Sequence, residues 1–76
     1  MELQEFIEKF ADAIEIESVE KLSAETKFRD LDEWSSLSVL SIIAMLDEEY
    51  GIQIENSDFK VLNTIGDIAH YIEMRK

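Results

Sequence analysis

Ser35-Ser36-Leu37-Ser38-Val39-Leu40-Ser41-Ile42-Ile43-Ala44-Met45-Leu46-Asp47-Glu48-Glu49-Tyr50-Gly51-Ile52 is the stretch on which the fold turns. Leu37, Leu40, Ile43, Ala44 and Leu46 recur at helical spacing, and Val39, Ile42 and Met45 widen the stripe. The pattern predicts a helix from about Ser36 to Tyr50, with neighbours on more than one side because the apolar face is so broad. Ser35 suits the N-cap, where its hydroxyl can accept an orphan backbone N–H. Gly51 suits the left-handed position after the helix, and Ile52 follows where a Schellman motif places an apolar contact.

Upstream, Leu3, Phe6, Ile7, Phe10 and Ile14 recur at three- and four-residue spacing. They predict a first helix over about residues 2 to 15, with Glu2, Glu5, Glu8, Lys9 and Asp12 on its wet face. Residues 16 to 34 lose the period. Ile16, Val19, Leu22, Phe28 and Leu31 are apolar but irregularly spaced, which predicts a long connection pinned across the bundle by those side chains. A connection of that length in a small domain itself points to function.

Downstream, residues 56 to 62 read as one or two turns of a short helix. Thr64 then caps the last helix, with Asp67 three residues on as a variant of the capping box. Ile65, Ile68, Ala69 and Ile72 form its inner face. Gly66 lowers helix propensity just inside the cap, which implies close approach of another backbone. Ile52-Gln53-Ile54 alternates, but over three residues only, and makes no strand. The expected fold is all-α: three main helices, one short helix and a long first loop, in a single domain spanning residues 1–76.

The chain carries 18 acidic residues against 7 basic ones, a net charge of -11. Nucleic acid and anionic membranes are poor partners for such a surface, because both demand clustered Lys and Arg. A partner with a basic patch is the natural counterpart. Without Cys, any thiol chemistry must come from a cofactor. No apolar run can span a bilayer. The opening Met1-Glu2-Leu3-Gln4-Glu5 has no signal-peptide character, so a cytoplasmic monomer is expected.

Enzymatic constellations are wanting. The single His, His70, lies late in the last helix without evident partners and reads as a surface residue, so no catalytic residue is assigned. Asp30-Leu31-Asp32-Glu33 resembles the start of a calcium loop. Its sixth position is Ser35 where Gly is needed and its twelfth is Ser41 where Glu is needed, so no metal site is assigned. Ser36, at the first turn of a helix after a long loop, is placed for anion attachment, since free N–H groups and the helix dipole favour a phosphate there. A plain capping role for Ser35-Ser36 stays open on that local pattern.

The chain as a whole resembles the acyl carrier protein family. Ser35-Ser36-Leu37 sits where the family has Asp-Ser-Leu. Ile42-Ile43-Ala44-Met45-Leu46 followed by Asp47-Glu48-Glu49, Tyr50 and Ile52-Gln53-Ile54 is similar to the family's apolar run, acidic triplet, aromatic and Ile-x-Ile tail. Thr64-Ile65-Gly66-Asp67 is similar to its Thr-x-Gly-Asp start of the last helix, and Phe28 and Leu31 fall on its loop anchors. The resemblance implies a carrier without catalytic activity, modified at Ser36 with 4'-phosphopantetheine by a phosphopantetheinyl transferase and served by acyl-loading and acyl-transfer enzymes.

Ser35 departs from the family, whose Asp at that place helps the transferase and its metal engage the helix. Acid is also missing from the early turns of the second helix, which offer Ser38, Val39 and Ser41 at the surface. Partner contacts are therefore expected at Trp34, Leu37, Val39, Ile42, Asp47 and Glu48, with Trp34 alternatively packed on the second helix. A dedicated partner set in a specialised lipid, polysaccharide or natural-product pathway follows. The alternative is an unmodified acidic helical interaction module.

Overall fold

The computed structural model describes residues 2–75; Met1 and Lys76, which complete the expected domain 1–76, lie outside it. Four helices follow one another: α1 (Leu3–Ala13), α2 (Ser36–Tyr50), α3 (Asn56–Phe59) and α4 (Ile65–Arg75). Two short 3-10 turns, Val19–Lys21 and Phe28–Asp30, punctuate the long connection between α1 and α2. Among the described residues there is no strand, only an isolated antiparallel bridge between Lys27 and Thr64. The fold is the expected small helical bundle.

One core joins every element. α1 contributes Phe6, Ile7, Phe10 and Ala11, while Leu3 stays largely exposed, so the stripe begins a turn later than its spacing suggests. The helix ends at Ala13 in a Schellman motif: Ile16 N–H donates to the Ala11 carbonyl at 2.8 Å and Glu15 N–H to that of Asp12 at 3.3 Å. Glu15 occupies the left-handed position at φ 61°, where glycine is usual. The long connection is pinned as expected, with Ile16, Leu22 and Phe28 buried and Val19 and Leu31 packed against the core.

α2 begins and ends where its sequence places it, but a different face turns inward. Ser38, Ile42, Met45 and Leu46 are buried, whereas Leu37 and Leu40 are 70% and 63% exposed and Ala44 faces solvent. Apolar residues surround this helix, so period alone leaves its rotation undetermined, and the inner face is settled by packing against α1. Gly51 adopts φ 67° and its N–H donates to the Asp47 carbonyl at 3.0 Å. Ile52 N–H adds a second bond to the Leu46 carbonyl at 3.2 Å, one residue wider than a Schellman pair, while the left-handed glycine and the apolar Ile52 stand where they are expected. Ile52 and Ile54 are buried just beyond the glycine.

α3 stops at Phe59, short of the expected residue 62, though Leu62 still reaches the core. Arg29 accounts for this end: its guanidinium donates to the carbonyls of Leu62 and Phe59, the latter at 3.0 Å, and covers the Phe28 and Phe59 rings. α4 buries Ile65, Ile68, Ala69 and Ile72 as its spacing predicts. Gly66 meets the expected backbone: its N–H donates to the Ala24 carbonyl at 2.8 Å, and an added Cβ would lie 2.8 Å from that same oxygen.

Candidate functional site

Everything upstream of Ser36 fixes the start of α2. Trp34 is half-buried, with its ring parallel to those of Phe10 and Phe59 at 6.3 Å and tilted against Phe28 at 4.8 Å. These separations lie in the range of attractive aromatic pairs. Trp34 thus clamps the loop onto the aromatic core, two residues before Ser36. It packs on rings from α1, the loop and α3, so its ring contacts lie in the aromatic core and not on the second helix, where the packing alternative placed them.

The first turn of α2 is closed by a capping box between Ser35 and Ser38. Ser35 N–H donates to Ser38 Oγ at 3.0 Å, while Ser38 N–H bonds the Ser35 carbonyl at 3.0 Å. In the reciprocal half of the box the Ser35 hydroxyl faces Ser38 N–H as acceptor. Ser38 is 6% exposed, which corrects its placement at the surface.

Ser36 is exposed at the first helical position, and its hydroxyl makes no hydrogen bond among the described residues. The first turn holds no acidic residue. A free hydroxyl beside unsatisfied N–H groups, with no carboxylate competing for them, suits attachment of a phosphodiester. Beside it runs an open groove of about 480 Å³ between the end of α1 and the start of α2, floored by Leu37, Ser38 and Ser41 and walled by Asp12, Glu15 and Glu33.

The expected partner contacts separate into three groups. Leu37, Asp47 and Glu48 are exposed, and neither acid forms an ion pair among the described residues. Val39 is half-buried against the core. Ile42 is 0% exposed and forms part of the core, so it is no surface contact. Leu40 takes its place outside; its place in the broad stripe had assigned it to the interior. Glu49, third of the acidic triplet, turns back to α1, where Lys9 Nζ lies 3.1 Å from its carboxylate and 3.4 Å from that of Glu5. The hydrogen bond to Glu49 holds the Lys9 ammonium above its ordinary pKa. His70 is exposed, as expected.

Comparison with known proteins bears on what this arrangement is. The family described as "Phosphopantetheine attachment site" matches residues 4–72. An acyl carrier protein of Streptococcus thermophilus is 41% identical over 54 residues, covering 71% of this chain and 69% of that protein. One from an Exiguobacterium species is 35% identical over 57 residues, covering 75% and 72%. The solution NMR structure of a holo acyl carrier protein from Nitrosomonas europaea superposes with a TM-score of 0.78 at 19% identity, covering 96% of this chain and 93% of that one, and so shares the fold. No helix among the described residues is long and apolar enough to cross a membrane. The chain belongs to the acyl carrier protein family, whose members hold a covalent phosphopantetheine and are carriers rather than enzymes.

Proposed function

We propose that Ser36 is the attachment site and that the chain presents acyl thioesters to a dedicated set of partner enzymes. The observation that carries this reading is the exposed, unbonded Ser36 hydroxyl at the start of α2, in a first turn free of acidic residues. In the loading step Ser36 Oγ attacks the pyrophosphate of coenzyme A. A phosphorus–oxygen bond forms to Ser36, the bridging bond to the nucleotide phosphate breaks, and the hydroxyl proton leaves to a base of the transferase. The arm supplies the thiol that this Cys-free chain lacks. The chain's own residues hold the serine in place through Trp34 and the Ser35–Ser38 turn, and accommodate the new negative charge at the helix N-terminus.

Along α2 itself the surface from Ser36 onward is apolar and hydroxylic, with Leu37, Leu40 and Ser41 outermost, and exposed acid on this helix begins at Asp47, although Glu33, Asp12 and Glu15 wall the neighbouring groove. Basic patches on the transferase and the acyl-handling enzymes would engage that lower half, while contacts near the arm rest on shape. This division supports a specialised lipid, polysaccharide or natural-product pathway. The chain works as a monomer in this reading, since its like charge opposes self-association.

The test is intact mass after incubation with coenzyme A, Mg²⁺ and a promiscuous phosphopantetheinyl transferase, for the wild type, Ser36→Ala and Ser35→Ala. A gain of one phosphopantetheine unit lost only in Ser36→Ala is expected. Loss only in Ser35→Ala would keep the carrier and move the site. No gain, with the source organism's own transferase as well, would leave the unmodified interaction module.

A further inference from the structure

Ser38 is the one buried polar side chain among the described residues. Burial of a hydroxyl is unfavourable unless its hydrogen bonds are kept, and those of Ser38 all reach the segment that delivers Ser36. Its Oγ accepts from Ser35 N–H at 3.0 Å and lies 3.3 Å from Ser35 Oγ and 3.5 Å from the Glu33 carbonyl. A hydroxyl has one proton and two lone pairs, so with the Ser35 N–H accepted it still has its proton to donate to one of the other two. Ser35 and Ser36 are themselves exposed and have no apolar anchor of their own. The nearest apolar anchors are the Trp34 ring before them and Val39, packed against the core, after them. Between those points the backbone is held from below by one side chain.

We propose that Ser38 is the positioning residue for the Ser36 nucleophile: its buried hydroxyl fixes the Glu33–Ser36 turn and thereby the direction in which Ser36 Oγ is offered to the transferase. The proposal rests on Ser36 being the attachment site. Attack on a bound pyrophosphate requires the hydroxyl to be held within a narrow range of positions, and small misplacements cost rate steeply. Without the Ser38 hydroxyl, Ser35 N–H loses its partner and the turn samples orientations that the transferase cannot use.

The experiment compares attachment kinetics of wild type, Ser38→Ala, Ser38→Thr and Ile72→Val with one transferase, well below every melting temperature. Ile72 is buried in α4 and makes no part of the site, so Ile72→Val controls for general loss of stability. Ser38→Ala is expected to lower kcat about tenfold with KM for coenzyme A unchanged. Ser38→Thr, which keeps the hydroxyl, should restore the rate, and Ile72→Val should match wild type. Equal rates for Ser38→Ala and wild type would overturn the proposal, as would equal slowing by Ile72→Val. Should Ser38→Ala fail to fold, amide exchange on the wild type decides: Ser35 N–H must be protected relative to Ser36 N–H, and an unprotected Ser35 refutes the proposal. A wild type that takes no arm removes the Ser36 reading itself; a wild type modified at Ser36, with Ser38→Ala modified as fast, removes only the positioning role.

Discussion

Among the described residues Glu15 is the non-glycine residue with positive φ, at 61°, and it closes the Schellman motif that turns α1 into the long connection. A residue with a Cβ in this region costs roughly 1–2 kcal/mol, and a carboxylate at a helix C-terminus opposes the dipole. Glu15→Gly removes both penalties but adds flexibility to the unfolded chain. The net expectation is a gain of about 1 kcal/mol, read as a higher urea midpoint at unchanged slope. An unchanged or lower midpoint would show that the Glu15 side chain makes compensating contacts in the groove it helps to line.

Among the elements, the cap of α4 is the one whose chemistry the sequence displays in full. Thr64 Oγ1 accepts from Asp67 N–H at 3.1 Å, and Asp67 Oδ2 accepts from the N–H groups of Asn63 and Thr64 at 3.0 and 3.1 Å. Those backbone donors, Asn63 first, hold the Asp67 carboxyl below the usual aspartate range. Because the folded pKa is lowered, the contribution is complete above the unfolded value of about 3.9 and is lost as pH falls through the folded value. Wild type should therefore exceed Asp67→Asn in stability at neutral pH, with the gap closing in acid below about pH 4. Urea unfolding of the pair from neutral to acid pH measures this. A gap independent of pH would mean that Asn caps α4 as well as Asp does, or that the ionised form is not what α4 prefers.

The same element shows why parts of the molecule were legible and others not. Thr64 and Asp67 act within a turn of their own position and Gly51 adopts a left-handed backbone that favours glycine, so local sequence carries them; Gly66 signals a close approach without naming its distant partner, Ala24. The rotation of α2 does not show locally, because apolar residues ring the helix; Leu40 and Ile42 exchange roles according to what lies opposite. Ser38 looks like a surface residue for the same reason. Arg29 is hidden differently: its carbonyl partners at Phe59 and Leu62 are some thirty residues away, and nothing in the loop around it announces them. Around the proposed site, the helix start and the exposed position of Ser36 were legible, whereas the depth of Trp34 and the inward turn of Ser38 depended on the aromatic core that α1 and α3 assemble.

At the scale of the whole molecule, charge is the dominant unbalanced quantity. The net charge is -11, and among the described residues the ion pairs share one cation, Lys9, between Glu5 and Glu49. The domain measures 28 × 26 × 20 Å. At about 0.01 M salt the screening length is roughly 30 Å, so every carboxylate feels every other across the molecule; at about 0.1 M it is roughly 10 Å, shorter than the smallest dimension. Folding gathers these charges, so repulsion opposes it most at low salt. The melting temperature should rise by about 5 °C between those concentrations, corresponding to roughly 1 kcal/mol in a domain of this size, and then level off. No group of three or more potential metal ligands occurs among the described residues, so Mg²⁺ and Na⁺ should act alike when matched by ionic strength. Thermal melts in the two salts decide the matter. A flat profile would show that the acidic residues are spaced widely enough not to strain the fold, and an excess effect of Mg²⁺ at equal ionic strength would mean that some of these carboxylates converge on a bound cation in solution.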